Sequence, residues 1–219
     1  MRNARESILA ALSATRPAFA LPDRHLATPA RPAMPEDPVA FLRAGIEAAG
    51  GSFQIVPRND WVARVAWPLE LDFEAGGGAA ATATPSVYSA FPELPSRGAG
   101  RGDPSSADFE QLDLCVLRGE FAVVENGAVW QLPRSACERR AALLAEHLVV
   151  VIEGDALVAS LHQAYERIDL AAISFGWFLC GPSKTADIEQ ALVLGAHGPR
   201  SMRLVWRSDA ASAATAQAM

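Results

Sequence analysis

Residues that could bind an anion concentrate in one stretch near the carboxyl terminus. Small, hydroxyl-bearing and charged side chains follow one another there within seven positions: Gly181, Ser183, Lys184, Thr185 and Asp187. The apolar spacing predicts a buried strand over 173–180 and a helix over 185–194, which makes this stretch the turn between them. Backbone N–H groups at the start of such a helix, together with the Lys184 ammonium, can bind a carboxylate or a phosphate. The alternative is an ordinary turn in which Ser183 or Thr185 caps the helix.

A second loop, over 195–200, adds His197, which stands between small residues and is followed by Gly198. Gly195 suits the end of the preceding helix. Because ligands of open parallel sheets collect outside the carboxyl ends of the strands, we expect both loops to meet at that edge. There His197 would face a cleft for a small anion. The alternative is a histidine on the surface or at a helix cap.

Glu125 is the one carboxylate at a loop position suited to catalysis, because the Asn126-Gly127 pair that follows it favours a hairpin turn. A carboxylate in a cleft can act as a general base or a nucleophile, whereas one at an exposed turn is only solvated. Glu125 and His197 are therefore the candidate catalytic residues. The remaining histidines have no neighbours at metal-ligand spacing, so no metal site is predicted.

The elements that must position these residues are predicted from periodicity and turn signals. Asp37-Pro38 opens a helix that ends at Gly50-Gly51, and 61–67 fits either a short helix or a strand. Strands are expected over 52–56, 112–116, 120–124, 128–132, 147–152 and 202–206, and helices over 138–144 and 155–167. Strands and helices alternate from 147 to 206, which is typical of parallel βαβ units. The predicted fold class is α/β, with a mostly parallel sheet flanked by helices.

We predict three regions in the 219 residues. Residues 1–38 form a short amphipathic helix and a proline-rich arm, because six prolines between 16 and 38 prevent a continuous helix. Residues 39–207 form a single α/β domain, in which the Gly, Ala, Pro and Ser content of 75–107 indicates a flexible loop. Residues 208–219 offer little to pack and are expected to be disordered.

Composition limits the classes of function. The formal net charge is −6, and 18 of the 19 basic residues are arginines scattered along the chain, so no basic stripe for nucleic acid is expected. No apolar stretch approaches the length of a membrane span, and a cytoplasmic location is expected. Cys115, Cys137 and Cys180 are far apart in sequence and are expected to be small buried hydrophobes.

The stretch from Cys180 to Arg200 resembles the carboxyl-terminal signature of the LUD domain family over about twenty nearly contiguous positions. The resemblance extends over about 110–207, and the family's middle hairpin motif corresponds to 124–128. It implies a three-layer α/β fold similar to the ribose-phosphate isomerase and CoA-transferase group. It also implies a role in oxidising L-lactate to pyruvate beside two iron–sulfur partner proteins. Three scattered cysteines cannot hold a cluster, so any redox cofactor is expected in a partner.

Three functions remain open from the sequence, and whether the chain is an enzyme is not decided. The first is an accessory subunit of a lactate-oxidising system, in which 181–187 and 195–198 line a cleft for a small anionic metabolite. The second is a stand-alone isomerase or acyl/CoA-transferase-type enzyme that uses Glu125 with Ser183, Lys184 and His197. The third is an interaction module whose arm over 16–38 docks on a partner.

Overall fold

The computed structural model describes residues 3–14, 31–69, 85–94, 109, 111–188 and 191–208. It divides into two units, residues 1–30 and 31–219. In the first unit the described residues form one helix, none of whose residues is buried. Most of the predicted arm, most of the predicted loop over 75–107 and nearly all of the predicted tail lie outside the described residues. The predicted domain boundaries therefore stay predictions.

The described elements follow one another along the chain in this order: α1 (Ala4–Ala14), α2 (Pro38–Ala48), β1 (Ser52–Pro57), α3 (Trp61–Arg64), β2 (Val87–Ser89), β3 (Leu114–Arg118), β4 (Phe121–Val123), β5 (Val129–Gln131), α4 (Ala136–Leu144), β6 (His147–Glu153), β7 (Leu157–Val158), α5 (Leu161–Arg167), β8 (Trp177–Leu179), β9 (Lys184–Ile188), β10 (Ala191–Leu194) and β11 (Ser201–Ser208).

The main sheet has five strands in the order β1-β11-β6-β3-β2, and every neighbouring pair is parallel. Strand β6 lies at its centre and is almost wholly apolar, as expected for a strand covered on both faces. Leu148, Val150 and Ile152 point into the cluster that α2 and α4 cover, whereas Val149 and Val151 point into the cluster that contains α3. This confirms the predicted α/β class, with a mostly parallel sheet flanked by helices.

Helix α2 begins where the sequence predicts. The Asp37 carboxylate accepts a hydrogen bond from the Ala40 amide at 2.9 Å, and Pro38 occupies the first turn. Leu42 and Ile46, one turn apart, are fully buried against the sheet. The helix ends before Gly50, whose φ of +81° is a conformation that glycine adopts readily.

A second, four-stranded sheet has the order β7-β4-β5-β8 and packs on the α2 side of the main sheet. Its β4–β5 pair is antiparallel, which confirms the hairpin predicted from Asn126-Gly127. Gly127 has a φ of +75°, and a Cβ added there would lie 2.6 Å from the Ile46 amide nitrogen. The hairpin turn therefore packs directly against the backbone of α2.

The prediction of a helix over 185–194 is wrong, because this segment forms the antiparallel hairpin β9–β10. Ser183 fixes its base through a hydrogen bond from the Gly195 amide to the Ser183 carbonyl at 3.0 Å. The β-branched residues Thr185 and Val193 face one another across it, and such side chains favour strands over helices. Neither Ser183 nor Thr185 can cap a helix that does not form.

The prediction of a buried strand over 173–180 is also wrong, both in its length and in the sheet to which the strand belongs. Only Trp177–Leu179 is extended, its residues are half-buried, and it pairs antiparallel with β5 in the second sheet. The segment from 147 to 206 is therefore not a run of parallel βαβ units: β6 and β11 are neighbours in the main sheet, and most of the intervening chain builds other sheets.

Two further sequence expectations can be compared with the structure. Cys115 is buried as expected, but Cys137 is half-buried and Cys180 is exposed, so the expectation of three buried cysteines is wrong. Cys180 directly follows β8, and its thiol is partly covered by the turn at Asn126. No helix in the described part of the chain is long and apolar enough to span a bilayer.

Candidate functional site

The two loops predicted to bind an anion lie at the amino-terminal edge of the main sheet. Residues 195–200 lead into the start of β11, where Ser201 pairs with His147, the first residue of β6. The Arg200 amide donates to the Glu146 carbonyl at 2.9 Å, just before both strands begin. The expectation that these loops meet at the carboxyl edge is wrong, because 181–200 connects the second sheet back to the beginning of β11.

The two loops nevertheless converge on each other. The Ser183 amide donates to the Pro199 carbonyl at 2.8 Å, and a Cβ added at Gly198 would lie 3.1 Å from the Ser183 Cβ. The amides of Ser183 and Gly195 are both used in hydrogen bonds between the loops. These two N–H groups are therefore not available to an anion in this arrangement.

Gly181 and Lys184 lie against the end of α2. Gly181 has a φ of +71°, and a Cβ added to it would lie 2.3 Å from the Ala49 carbonyl oxygen. The Lys184 ammonium lies 3.3 Å from the Cβ position of Gly50, which places a positive charge at the negative end of the helix dipole. Asp187 lies in strand β9.

A cavity of about 410 Å³ opens beside the loops at the amino edge. The residues that line it include Asp113, Leu144, Glu146, Leu194, Gly198 and Arg200. Arg200 forms an ion pair with Glu146 whose side chains are 63% and 43% exposed, so the pair contributes little to stability. The Asp113 carboxylate accepts a hydrogen bond from the Ser86 amide at 2.6 Å. The cavity therefore has an arginine at its rim and carboxylates around it.

His147 stands at the same edge, with its Nδ1 2.6 Å from the Ser201 hydroxyl oxygen. Burial lowers the pKa of His147 below its ordinary value, and the Arg200 guanidinium lowers it further. The carboxylates of Glu146 and Asp113 act in the opposite direction and only partly offset this. At neutral pH the ring is therefore uncharged, and one ring nitrogen can accept a proton.

The candidate catalytic residues Glu125 and His197 lie in two different turns, after β4 and before β11. The Glu125 carboxylate accepts a hydrogen bond from the Leu161 amide at 2.9 Å, and so caps α5 beside its N-cap residue Ser160. His197 is exposed in the turn before β11. Among the described residues, no hydrogen bond or ion pair joins Glu125 to Ser183, Lys184 or His197.

Cys180 links the hairpin turn to the predicted binding loop. Its thiol donates to the Asn126 carbonyl at 3.3 Å. Burial raises the pKa of the Cys180 thiol, and the Lys184 ammonium acts in the opposite direction. Among the described residues, no three His, Cys, Asp or Glu side chains come together as a metal site would require.

Sequence reasoning missed the charged residues at both edges of the main sheet. Glu146 and Arg200 directly precede the apolar strands β6 and β11. At the opposite edge Glu153 ends β6, and Arg207 is the last residue but one of β11. A charged residue at the end of an apolar run is a signal in the sequence. It marks a strand end but does not say which strands are neighbours.

The family model described as LUD domain matches residues 93–205, just over half of the chain. Lactate utilization protein C of Halalkalibacterium halodurans is 32% identical over 96 residues, which cover 41% of this chain and 42% of that protein. Lactate utilization protein C of Geobacillus kaustophilus is 27% identical over 172 residues, covering 72% and 63%. The matched stretch thus spans about two-fifths to three-fifths of these relatives.

A solved structure is also similar. The crystal structure of a DUF162 family protein from Deinococcus radiodurans superposes with a TM-score of 0.49 at 16% sequence identity, covering 78% of this chain and 96% of that one.

Proposed function

Because the chain belongs to the LUD domain family, we propose that it takes part in lactate utilization, as an accessory subunit of an iron–sulfur-dependent system that oxidises L-lactate to pyruvate. The observation that carries the proposal is the similarity to proteins named Lactate utilization protein C. The name of these relatives gives lactate utilization, and the accessory role is proposed because this chain has no donor set for a redox cluster.

The redox chemistry in this proposal belongs to two iron–sulfur partner proteins. Oxidation of L-lactate to pyruvate releases two electrons and two protons, which require an acceptor. The donor set of this chain does not suit a cluster: Cys115 is enclosed in the core, whereas Cys180 lies at a surface turn. The partners would therefore carry the clusters, and this chain would bind and position a small anionic metabolite.

The proposed ligand of this chain is a small anionic metabolite at the amino-edge cavity. The cavity volume of about 410 Å³ exceeds what a three-carbon acid needs. Arg200 at the rim supplies a guanidinium, whose planar N–H groups can form two parallel hydrogen bonds to a carboxylate. Of the predicted binding residues, Gly198 lines this cavity, and Ser183 contacts the same loop through its hydrogen bond to Pro199.

The test is growth on L-lactate after deletion of the gene for this chain, with the genes for the partner proteins intact. The proposal expects growth on L-lactate to fail, growth on pyruvate to continue, and the intact gene supplied in trans to restore growth. Unimpaired growth of the deletion strain on L-lactate would overturn the proposal.

A further inference from the structure

Another cavity, of about 270 Å³, lies at the end of the β4–β5 hairpin opposite its turn, where β4 begins and β5 ends. Phe121 of β4 and Trp130 of β5 are register partners and line it together. Ile168 and Ile173, from the segment that follows α5, add to its apolar wall. We call it the hairpin cavity. Among the described residues, it shares none of its lining with the amino-edge cavity, and the proposed function does not use it.

Packing holds the two aromatic walls of the hairpin cavity in place. Phe121 and Trp130 are 3% and 7% exposed and belong to one core cluster, together with Ala164 of α5. The Trp130 ring centre lies 4.8 Å from that of Phe178. A Cβ added at Gly176 would overlap the Trp130 ring, so the backbone packs directly on it. The apolar surface is therefore in place before any ligand binds, as in most small-molecule sites.

Three charged side chains also line the hairpin cavity: Glu120, Arg167 and Asp169. The Arg167 guanidinium carbon lies 4.9 Å from the centre of the Phe121 ring. Among the described residues, no ion pair or hydrogen bond joins this guanidinium to a carboxylate, although two carboxylates line the same cavity. The Asp169 carboxylate accepts a hydrogen bond from the Ala171 amide at 3.0 Å, whereas that of Glu120 accepts none from the described residues. The cavity thus has a positive and a negative group that do not neutralise each other.

These charged groups can be reached by a ligand from solvent. Arg167 and Asp169 are exposed, and Glu120 is half-buried. Stacking on the Phe121 ring restricts the Arg167 guanidinium to the side of the cavity that this ring forms. The cavity volume is just below the range of about 300–1,000 Å³ that is typical of drug-sized ligands, so it suits a small metabolite.

We propose that the hairpin cavity binds a free α-amino acid with an apolar side chain. Arg167 would donate two parallel hydrogen bonds to the α-carboxylate, and Glu120 would accept hydrogen bonds from the α-ammonium group. The apolar side chain would lie against the rings of Phe121 and Trp130, which removes apolar surface from water. A simple carboxylate leaves Glu120 without a partner, and a simple amine leaves Arg167 without one. A zwitterion satisfies both, and the site does not depend on the proposed function.

The test is calorimetric titration of the full chain with L-leucine and with L-phenylalanine, each up to about 10 mM. The proposal expects saturable binding of at least one of them, and none of glycine, which lacks the apolar side chain. Matched analogues remove one charged group at a time: isocaproate and isoamylamine for leucine, hydrocinnamate and phenethylamine for phenylalanine. Each analogue should bind about tenfold more weakly than its amino acid, because a charged hydrogen-bond partner is lost.

Two variants assign the two charged groups. Arg167→Gln should weaken binding of the amino acid by about tenfold and leave binding of the amine analogue within about twofold. Glu120→Gln should weaken binding of the amino acid severalfold without weakening binding of the carboxylate analogue. The matched control is Arg43→Gln, because the Arg43 guanidinium also stacks on an aromatic ring, at 4.8 Å from the centre of Phe53, and does not line the cavity. It should leave the dissociation constant of the amino acid within about twofold of wild type.

Three results would overturn the proposal. They are no saturable binding of either amino acid, an analogue that binds as tightly as its amino acid, and equal weakening by Arg167→Gln and Arg43→Gln. Circular dichroism confirms that each variant is folded, and if Arg167→Gln is not, Glu120→Gln decides with its own pair of ligands. None of these results bears on growth on L-lactate, which tests the proposed function.

Discussion

Replacing Gly45 by alanine sets helix propensity against packing at the contact between α2 and the hairpin turn. In the middle of an exposed helix, this change would stabilise the fold by about 1 kcal/mol. Here a Cβ at position 45 would lie 2.8 Å from the Gly127 nitrogen and 2.9 Å from the Asn126 carbonyl carbon. Both neighbours are backbone atoms, which cannot rotate out of the way.

The magnitude follows from these two opposing effects. Forcing a methyl group into a filled space costs about 1–3 kcal/mol, and backbone neighbours put this contact near the upper end. Subtracting the gain in helix propensity of about 1 kcal/mol leaves a net loss of about 2 kcal/mol in the free energy of unfolding. The displaced hairpin should also weaken the hydrogen bond from Cys180 to Asn126, which exposes the thiol further.

Urea denaturation followed by far-ultraviolet circular dichroism measures this loss. The control is Ala44→Gly, at the neighbouring exposed position of the same helix, where only propensity changes. It should lose about 1 kcal/mol without any steric conflict. If Gly45→Ala is as stable as wild type or more so while Ala44→Gly is destabilised, the argument from close packing is wrong.

Three further predictions concern single residues around the candidate site. Gly181→Ala should lower the free energy of unfolding by about 2–4 kcal/mol in urea, since it combines a left-handed backbone with a clash against Ala49; a loss below about 1 kcal/mol would contradict this. The pKa of His147 is lowered, so its contribution to stability is complete above its ordinary pKa of 6.5 and is lost as pH falls below that value. Thermal unfolding between neutral and mildly acidic pH should show a shallower pH dependence in His147→Gln, and an unchanged slope would refute the assignment. Glu125→Gln should cost about 0.3–1 kcal/mol, because the Leu161 amide loses a charged acceptor at a helix start; loss of a measurable isomerase or CoA-transferase turnover in this variant, with folding intact, would instead support the enzyme alternative.

Local signals in the sequence are sufficient to predict several of the helices and strands. Asp37-Pro38 specifies a helix start through a side-chain cap and a fixed φ, and neither depends on distant residues. Asn126-Gly127 specifies a hairpin turn because Gly127 adopts a positive φ. The apolar run that forms β6 has no polar residue in alternate positions and is too short for a typical helix, so it predicts a strand that is covered on both faces.

The hairpin over 184–194 could not be predicted in this way. The spacing of its apolar residues fits a helix as well as an extended strand, so periodicity does not distinguish the two structures. What decides is a set of long-range hydrogen bonds, from the Ser183 amide to Pro199 and from the Gly195 amide to Ser183. Such pairing depends on the path of the whole chain, which a window of neighbouring residues does not contain.

The prediction that the two loops meet at the carboxyl edge of the sheet is wrong for a related reason. Assigning a loop to the carboxyl or the amino edge requires knowing which strand it enters and the direction of that strand. Residues 195–200 enter β11, which lies between β1 and β6 although it is the last of the described strands along the chain. Ser183 and Gly198 do come together, but at the amino edge of the sheet and not at the carboxyl edge.

The most direct measurement of the central claim is L-lactate-dependent formation of pyruvate in extracts of the deletion strain, with an artificial electron acceptor present. The account predicts that pyruvate formation is absent and that adding the purified chain restores it, although the purified chain alone forms none. Full pyruvate formation in the extract without the chain would contradict the account.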